Sequence, residues 1–305
     1  MKISHAARAR VTAGFLAAVL VTLACGATSP PTPSVDLAST KAALTFEAAT
    51  TATPPVLPPA LTLVPPAATL PAAIPLSFSG ITLVIPNGLA TGAQSETVPQ
   101  SSGTDLPAWD IHPSYTHITL QDYPLQGTLL QPEIFIYPAD EFGQLSAGAG
   151  QTINDLKDIV YSPELLPQDH LPFLPPLNAT QVFYSNFQRL SFATGAGIRY
   201  LTQYDQAPLP INNHELIYTF QGLTQDGKTY VAAVLPVNAA FLSAQSDPAS
   251  PLPPDGVPFD WNHFEGMPAY LEAVKQKLET SDPNAFTPTL PMLDDLIQSL
   301  RIVPP

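Results

Sequence analysis

From residue 76 onward, apolar and polar side chains alternate with a period of two in several short runs. Residues 79–85 read as a strand closed by Pro86-Asn87-Gly88, and residues 116–120 and 133–137 as two more, the latter stopped by Pro138. Residues 181–193 read as a strand pair or one long bent strand, after which Thr194-Gly195-Ala196-Gly197 turns the chain into 198–204. In 215–222, Leu216, Tyr218 and Phe220 alternate with Glu215, Thr219 and Gln221, broken only by Ile217. That alternation predicts a half-buried strand with a solvated polar face. Thr224-Gln225-Asp226-Gly227 predicts a hairpin turn, because Asp-Gly tolerates the positive φ such turns need. In 228–237, Val231, Ala233 and Leu235 on one face and Ala232 and Val234 on the other are all apolar, which predicts a central strand.

Three segments switch to a period of 3.6. Residues 152–161 gather Ile153, Leu156, Ile159 and Val160 on one helical face, and 268–278 form a second helix. In 290–302, Leu293, Leu296, Ile297 and Leu300 make an i, i+3, i+4, i+7 stripe. A meander of antiparallel strands flanked by helices defines an α+β domain over residues 76–305. The Pro clusters at 172–176 and 248–254 read as surface loops of that domain.

Upstream the pattern is different. Residues 1–10 carry Lys2, Arg8 and Arg10 and no acid, and 11–24 are uncharged and mostly apolar. A basic head and a 14-residue apolar run outline a secretory signal peptide over 1–24. As a helix the run covers about 21 Å, short of the ~30 Å hydrocarbon core, so a permanent membrane span is the weaker reading. The run ends Thr22-Leu23-Ala24-Cys25-Gly26, with Ala24 and Cys25 placed as in the lipobox of bacterial lipoproteins, which it resembles. Thr22 departs from the aliphatic residue usual there. The resemblance implies cleavage before Cys25, lipid attachment on Cys25 and a membrane partner through that lipid, on an extracytoplasmic, envelope-anchored protein. An ordinary cleaved leader on a free secreted protein is the alternative. Residues 26–75 then hold 11 prolines with Ala and Thr filling most of the rest. Such a stretch has no core to fold around and favours extended, semi-rigid chain, so 25–75 reads as a disordered Pro-rich tether reaching roughly 150 Å at most. A helix at 36–49 is the one element expected within it.

The segment Gly80-Ile81-Thr82-Leu83-Val84-Ile85-Pro86-Asn87-Gly88 resembles the first strand of the PsbP-like family, relatives of an extrinsic subunit of photosystem II. The terminal Leu293-Asp294-Asp295-Leu296-Ile297-Gln298-Ser299-Leu300-Arg301 is similar to that family's last helix, and 218–237 to its long central hairpin. The resemblance implies an αβα sandwich and carries no catalytic residue. The layout as a whole resembles uncharacterised bacterial lipoproteins.

Composition narrows the function. The chain has 25 acidic and 11 basic residues and a formal charge of −14; without residues 1–24 it would be −17. Nucleic-acid binding needs clustered Lys and Arg to displace counterions, and no such block exists. Cys25 is the single cysteine, which excludes an intrachain disulfide framework and any Cys-based zinc site. No nucleophile elbow exists: Gly143-Gln144-Leu145-Ser146-Ala147-Gly148 lacks the glycine two before serine. His214-Glu215 begins an H-E-x-x pattern, but Tyr218 stands where the second histidine would be, and a polar loop is the simpler reading. Asp110, His112 and His117 are the densest set of metal-ligand types. An extended 110–112 would aim two of them to one face, though surface residues entering a strand look the same in sequence. Asp169-His170 and His263 with Glu265 are thinner sets. No phosphate cradle is present, since Gly148-Ala149-Gly150 has too few glycines and no strand feeding it. Nothing calls for a cofactor.

Trp261, His263, Phe264 and Tyr270 cluster beside a Pro-rich loop. Exposed there, they would suit glycan or peptide contact; packed inward, they would simply pin the loop. The sequence therefore favours a non-catalytic binding module of the cell envelope, meeting an envelope protein or an extracellular ligand. An extracytoplasmic hydrolase, or a carrier of a metal or small ligand, with a site assembled from distant residues, is the alternative.

Overall fold

The computed structural model describes residues 73–162, 164 and 170–303. The expected leader, Cys25, nearly all of the tether and the 36–49 helix lie outside the described residues. The chain opens with β1 (Ile74–Phe78) and β2 (Ile81–Ile85), continues through β3 (Gly92–Val98), β4 (Tyr115–Gln121) and β5 (Glu133–Pro138), and then forms α1 (Ala139–Leu145) and α2 (Ala147–Tyr161). Four long strands follow, β6 (Thr180–Phe192), β7 (Gly195–Asp205), β8 (Ile217–Thr224) and β9 (Thr229–Pro236). The last elements are β10 (Asn238–Ala239), α3 (Met267–Thr280), β11 (Phe286–Thr287), α4 (Leu290–Ser299) and β12 (Arg301–Ile302).

Seven strands make one antiparallel sheet in the order β3-β4-β5-β9-β8-β7-β6. β9 stands in the middle, as its two apolar faces require. The Asp226-Gly227 turn joins it to β8. Gly227 has φ +70°, and the Asp226 carboxylate accepts from the Lys228 N–H at 3.1 Å and from the Thr224 hydroxyl at 2.6 Å.

Each face of the sheet has its own core. On one, Tyr218, Phe220, Val231, Ala233 and Leu235 meet α3, α4 and the small sheet β1-β2-β12. Leu290, Leu293, Leu296 and Ile297 of α4 are fully buried there, each contributing about 1.5–3 kcal/mol of transfer free energy. On the other, Tyr137, Tyr200, Tyr230 and Ala232 meet α1 and α2. α1 and α2 approach closely at Gly143 and Gly150, where a Cβ on Gly150 would stand 3.3 Å from the Gly143 Cα. That contact accounts for Gly150, which with Gly148 lies inside the first turn of α2. The architecture is α+β, with helices on both faces of an antiparallel sheet.

Several expectations need correction. The 79–85 run is strand only from Ile81: Ser79 and Gly80 take φ +41° and +85° and make the turn that folds the preceding strand β1 back on β2. β1 thus begins at Ile74, two residues before the expected start of the domain. Of the two readings of 181–193, the single bent strand holds: β6 has register shifts on either side of Phe183–Ser185 and Asn186 at φ +51°. β7 starts at Gly195, so the turn is only Ala193-Thr194. α2 starts five residues early, and α1 was not anticipated. α4 ends at Ser299, after which Arg301–Ile302 pairs with β2. β8 is buried along its whole length, not on one face.

Candidate functional site

Thr219 and Gln221, expected to face solvent, lie beneath the loop 170–177. Side chains of the sheet satisfy that loop's backbone. The Leu174 N–H donates to Gln221 Oε1 at 3.0 Å, and Gln221 Nε2 donates back to the Leu174 carbonyl at 3.2 Å. The Leu171 N–H donates to Gln181 Oε1 at 2.8 Å, and the Tyr200 hydroxyl donates to the Pro172 carbonyl at 2.8 Å. Phe173 packs on Tyr204 at 4.6 Å. The Pro172–Pro176 cluster is therefore a strap over the second core, with Leu171, Pro172 and Leu174 buried. A trough of 730 Å³ runs beside it, lined by Asp155, Asp158, His170, Gln181 and Tyr204 among others. The polar groups of Gln181 and Tyr204 already serve the strap and each other, at 2.9 Å.

The proposed metal set is not brought together. Asp110 ends an exposed 3-10 turn, and His112 Nδ1 lies 2.9 Å from the Pro113 carbonyl. His117 sits on β4 between carboxylates of the adjacent strands, with Nδ1 3.2 Å from Glu96 and Nε2 3.4 Å from Glu133. The Glu133 contact raises the His117 pKa; burial opposes that and Glu96 adds to it. Its ring stacks on Phe135 at 5.0 Å. Both ring nitrogens thus face an acid. Among the described residues no three His, Cys, Asp or Glu side chains converge as a metal site would need. Asp169 lies outside the described residues, and His214 Nδ1 lies 2.7 Å from the Gly127 carbonyl.

Two buried polar groups went unread in the sequence. Gln203 Nε2 donates to Asp205 at 2.7 Å and to Glu215 at 3.0 Å, while Asn212 Nδ2 donates to the same Glu215 oxygen at 2.8 Å. Burial pushes the Asp205 carboxyl up to about 6; the Gln203 bond opposes this and the Glu215 charge adds to it. On the same face of the sheet, in the core that α3 and α4 cover, Asp294 of α4 accepts from the Tyr218 hydroxyl at 2.8 Å and lies 3.2 Å from Arg199 Nε. Arg199 also donates to Gln188 Oε1 at 2.6 Å and to the Asn186 carbonyl. Burial raises the Asp294 carboxyl, and the Arg199 charge works against that rise. Both groups sit at strand ends or bends, where donors and acceptors of the bent chain need partners, and read as internal joints.

The remaining group is at the surface. Residues 240–266 separate β10 from α3 and hold a single bridge from Ser243 to Asn212 and a 3-10 turn at Phe264–Gly266. Long ordered loops of this kind are where proteins carry contact surfaces. Its base is pinned: Asn213 Nδ2 donates to the Ala239 and Leu242 carbonyls, and the Ile211 N–H donates to the Tyr270 hydroxyl at 3.0 Å. Tyr270 is itself buried, so it is the post on which the loop stands. Phe259 lies 5.1 Å from Tyr270, Trp261 packs edge-on to Phe259 at 4.6 Å, and Phe264 meets Trp261 at 6.2 Å. The rings climb outward, from buried Tyr270 through half-buried Trp261 to Phe264, which is 52% exposed, with Leu252 at 43% nearby. His263 stands beside them, its Nδ1 2.6 Å from Asp260. Backbone donation from Asn262, then the His263 contact, holds the exposed Asp260 carboxyl below its usual range. A groove of 390 Å³ runs between this ledge and α3. Composition pointed to Trp261, His263, Phe264 and Tyr270; Phe259 joins through ring packing that no local pattern records, and Leu252 lines a neighbouring groove with Phe259 and Trp261.

No protein-family model, no curated protein and no solved structure matches the chain. Among the described residues no helix is long and apolar enough to cross a membrane.

Proposed function

We propose that the chain is a lipid-anchored, extracytoplasmic binding module that meets its partner through the aromatic ledge Phe259, Trp261 and Phe264. The observation that carries this reading is the ledge itself: a pinned loop holds Phe264 outward, over half exposed, on a stack of rings rising from the core. Aromatic side chains cost little conformational entropy to immobilise and bury much area on contact, so a rigid, exposed stack suits recognition. The lipobox-like Ala24-Cys25 and the Pro-rich stretch after it support the anchor and the tether.

Photo-crosslinking in living cells tests the contact. With p-benzoylphenylalanine in place of Phe264, a discrete cross-linked species is expected. The same group in place of Tyr161, 58% exposed on α2, gives none. Equal cross-linking at both positions would remove the ledge as the contact surface. In the same cells, Cys25→Ser is expected to move the protein from the membrane to the soluble fraction; unchanged partition would remove the anchor.

A further inference from the structure

The chain around the ledge is acidic without relief. Between Lys228 and Lys275 there is no Lys or Arg, while Asp247, Asp255, Asp260, Glu265 and Glu272 fall in that interval. All five are exposed. Among the described residues, the one Lys or Arg that pairs with any of them is Lys277, 3.5 Å from Asp255. Asp260 and Glu265 line the 390 Å³ groove, and Asp247 lines an adjoining one of 150 Å³. The two grooves share Val257, Pro258, Phe259 and Tyr270, so they run on from each other past the foot of the ledge. Aromatic faces and carboxylates in alternation attract cations twice, through the ring quadrupole and through charge-assisted hydrogen bonds. A continuous groove with charges at both ends fits an extended occupant better than a point ligand.

We infer that the ledge takes an extended, Lys- or Arg-bearing peptide segment of a partner protein, its cationic side chains over Trp261 and Phe264 and its charges on Asp247, Asp260 and Glu265. This rests on the ledge being the contact surface and adds the chemistry of what it contacts.

The test is fluorescence anisotropy of the full chain in detergent with three labelled probes: a decapeptide of alternating Arg and Ser, its Glu-Ser counterpart, and cellohexaose. The Arg-Ser peptide is expected to bind and the other two are not. Phe264→Ala, and separately Asp247→Asn with Glu265→Gln, are expected to weaken binding about tenfold. Asp140→Asn with Glu141→Gln, the same change of charge on exposed positions of α1, is expected to leave the Kd unchanged. Equal weakening by the two charge pairs would overturn the inference, because net charge alone would then explain binding. Cellohexaose binding that depends on Phe264, without peptide binding, would overturn the cationic partner while keeping the ledge. Binding of no probe would overturn it too, and the Phe264 cross-link then decides the ledge separately.

Discussion

Asp205 and Glu215 converge on one amide nitrogen of Gln203, within a pocket of polar side chains that leaves Asp205 only 8% exposed. The folded chain holds the Asp205 proton more tightly than the unfolded chain, since its pKa rises from 3.8 to about 6. Its contribution is therefore fully present below about pH 4 and lost as pH climbs through about 6. After solvent screening this amounts to on the order of 1–2 kcal/mol. Asp205→Asn should remove this loss, because a neutral amide has no charge to bury beside Glu215. Urea unfolding at pH 4.5, 6.0 and 7.5 checks it: the variant should be flatter than the parent across this range and more stable at pH 7.5. A parent-like slope in the variant would show that the carboxyl pair does not govern it.

At the scale of elements, the strap is the feature with the clearest consequence. Gln221 satisfies both backbone groups of Leu174 and accepts the Tyr230 hydroxyl at 2.6 Å. Gln221→Leu would leave four buried polar groups without that partner, the Leu174 N–H and carbonyl and the Tyr230 and Thr219 hydroxyls, at about 1–3 kcal/mol each before relaxation, least for Thr219, which keeps the Ala233 carbonyl. We expect a loss of roughly 2–4 kcal/mol and faster hydrogen exchange at the Leu174 amide, with α4 amides changing only as global stability does. Unchanged exchange at Leu174 would mean that the loop is held by its apolar side chains alone. The same strap explains what sequence pattern misjudged. Alternation in β8 was sound, but Gln221 turns its polar groups to a covering loop and Thr219 its hydroxyl to the Ala233 carbonyl of β9, not to water. β3 escaped notice for the opposite reason: Gly92–Val98 is an edge strand with little to bury, and register with β4 alone makes it a strand. The β8–β9 hairpin and the α4 stripe were legible because a turn dipeptide and a one-face period are local signals. The segments that carried the PsbP-like resemblance form β2 with its turn, the β8–β9 hairpin and α4 with the start of β12. At the ledge, ring content was legible, but which ring is post and which is contact depends on burial set by α3 and the 211 backbone. The Asp205–Glu215 pair needed the 206–214 loop to close, which no spacing announces.

For the molecule as a whole, β1, where the described chain starts, packs against β3 at one edge of the large sheet. α3, which carries the post of the ledge, packs against β6 at the opposite edge. β1 and α3 thus lie on the same face of the sheet, toward its opposite edges. With a lipid at Cys25, the 48 residues between it and Ile74 would span roughly 150 Å as extended polyproline II, enough to clear a membrane surface. The mature charge of −17 would keep the domain off anionic headgroups while favouring basic partners. Mass spectrometry of the amino-terminal peptide, from protein purified out of its native envelope, tests this account most directly. A chain that begins at Cys25 and carries fatty acyl mass on it is expected. An unacylated peptide that still includes residues 1–24, from protein recovered in the cytoplasm, would contradict it.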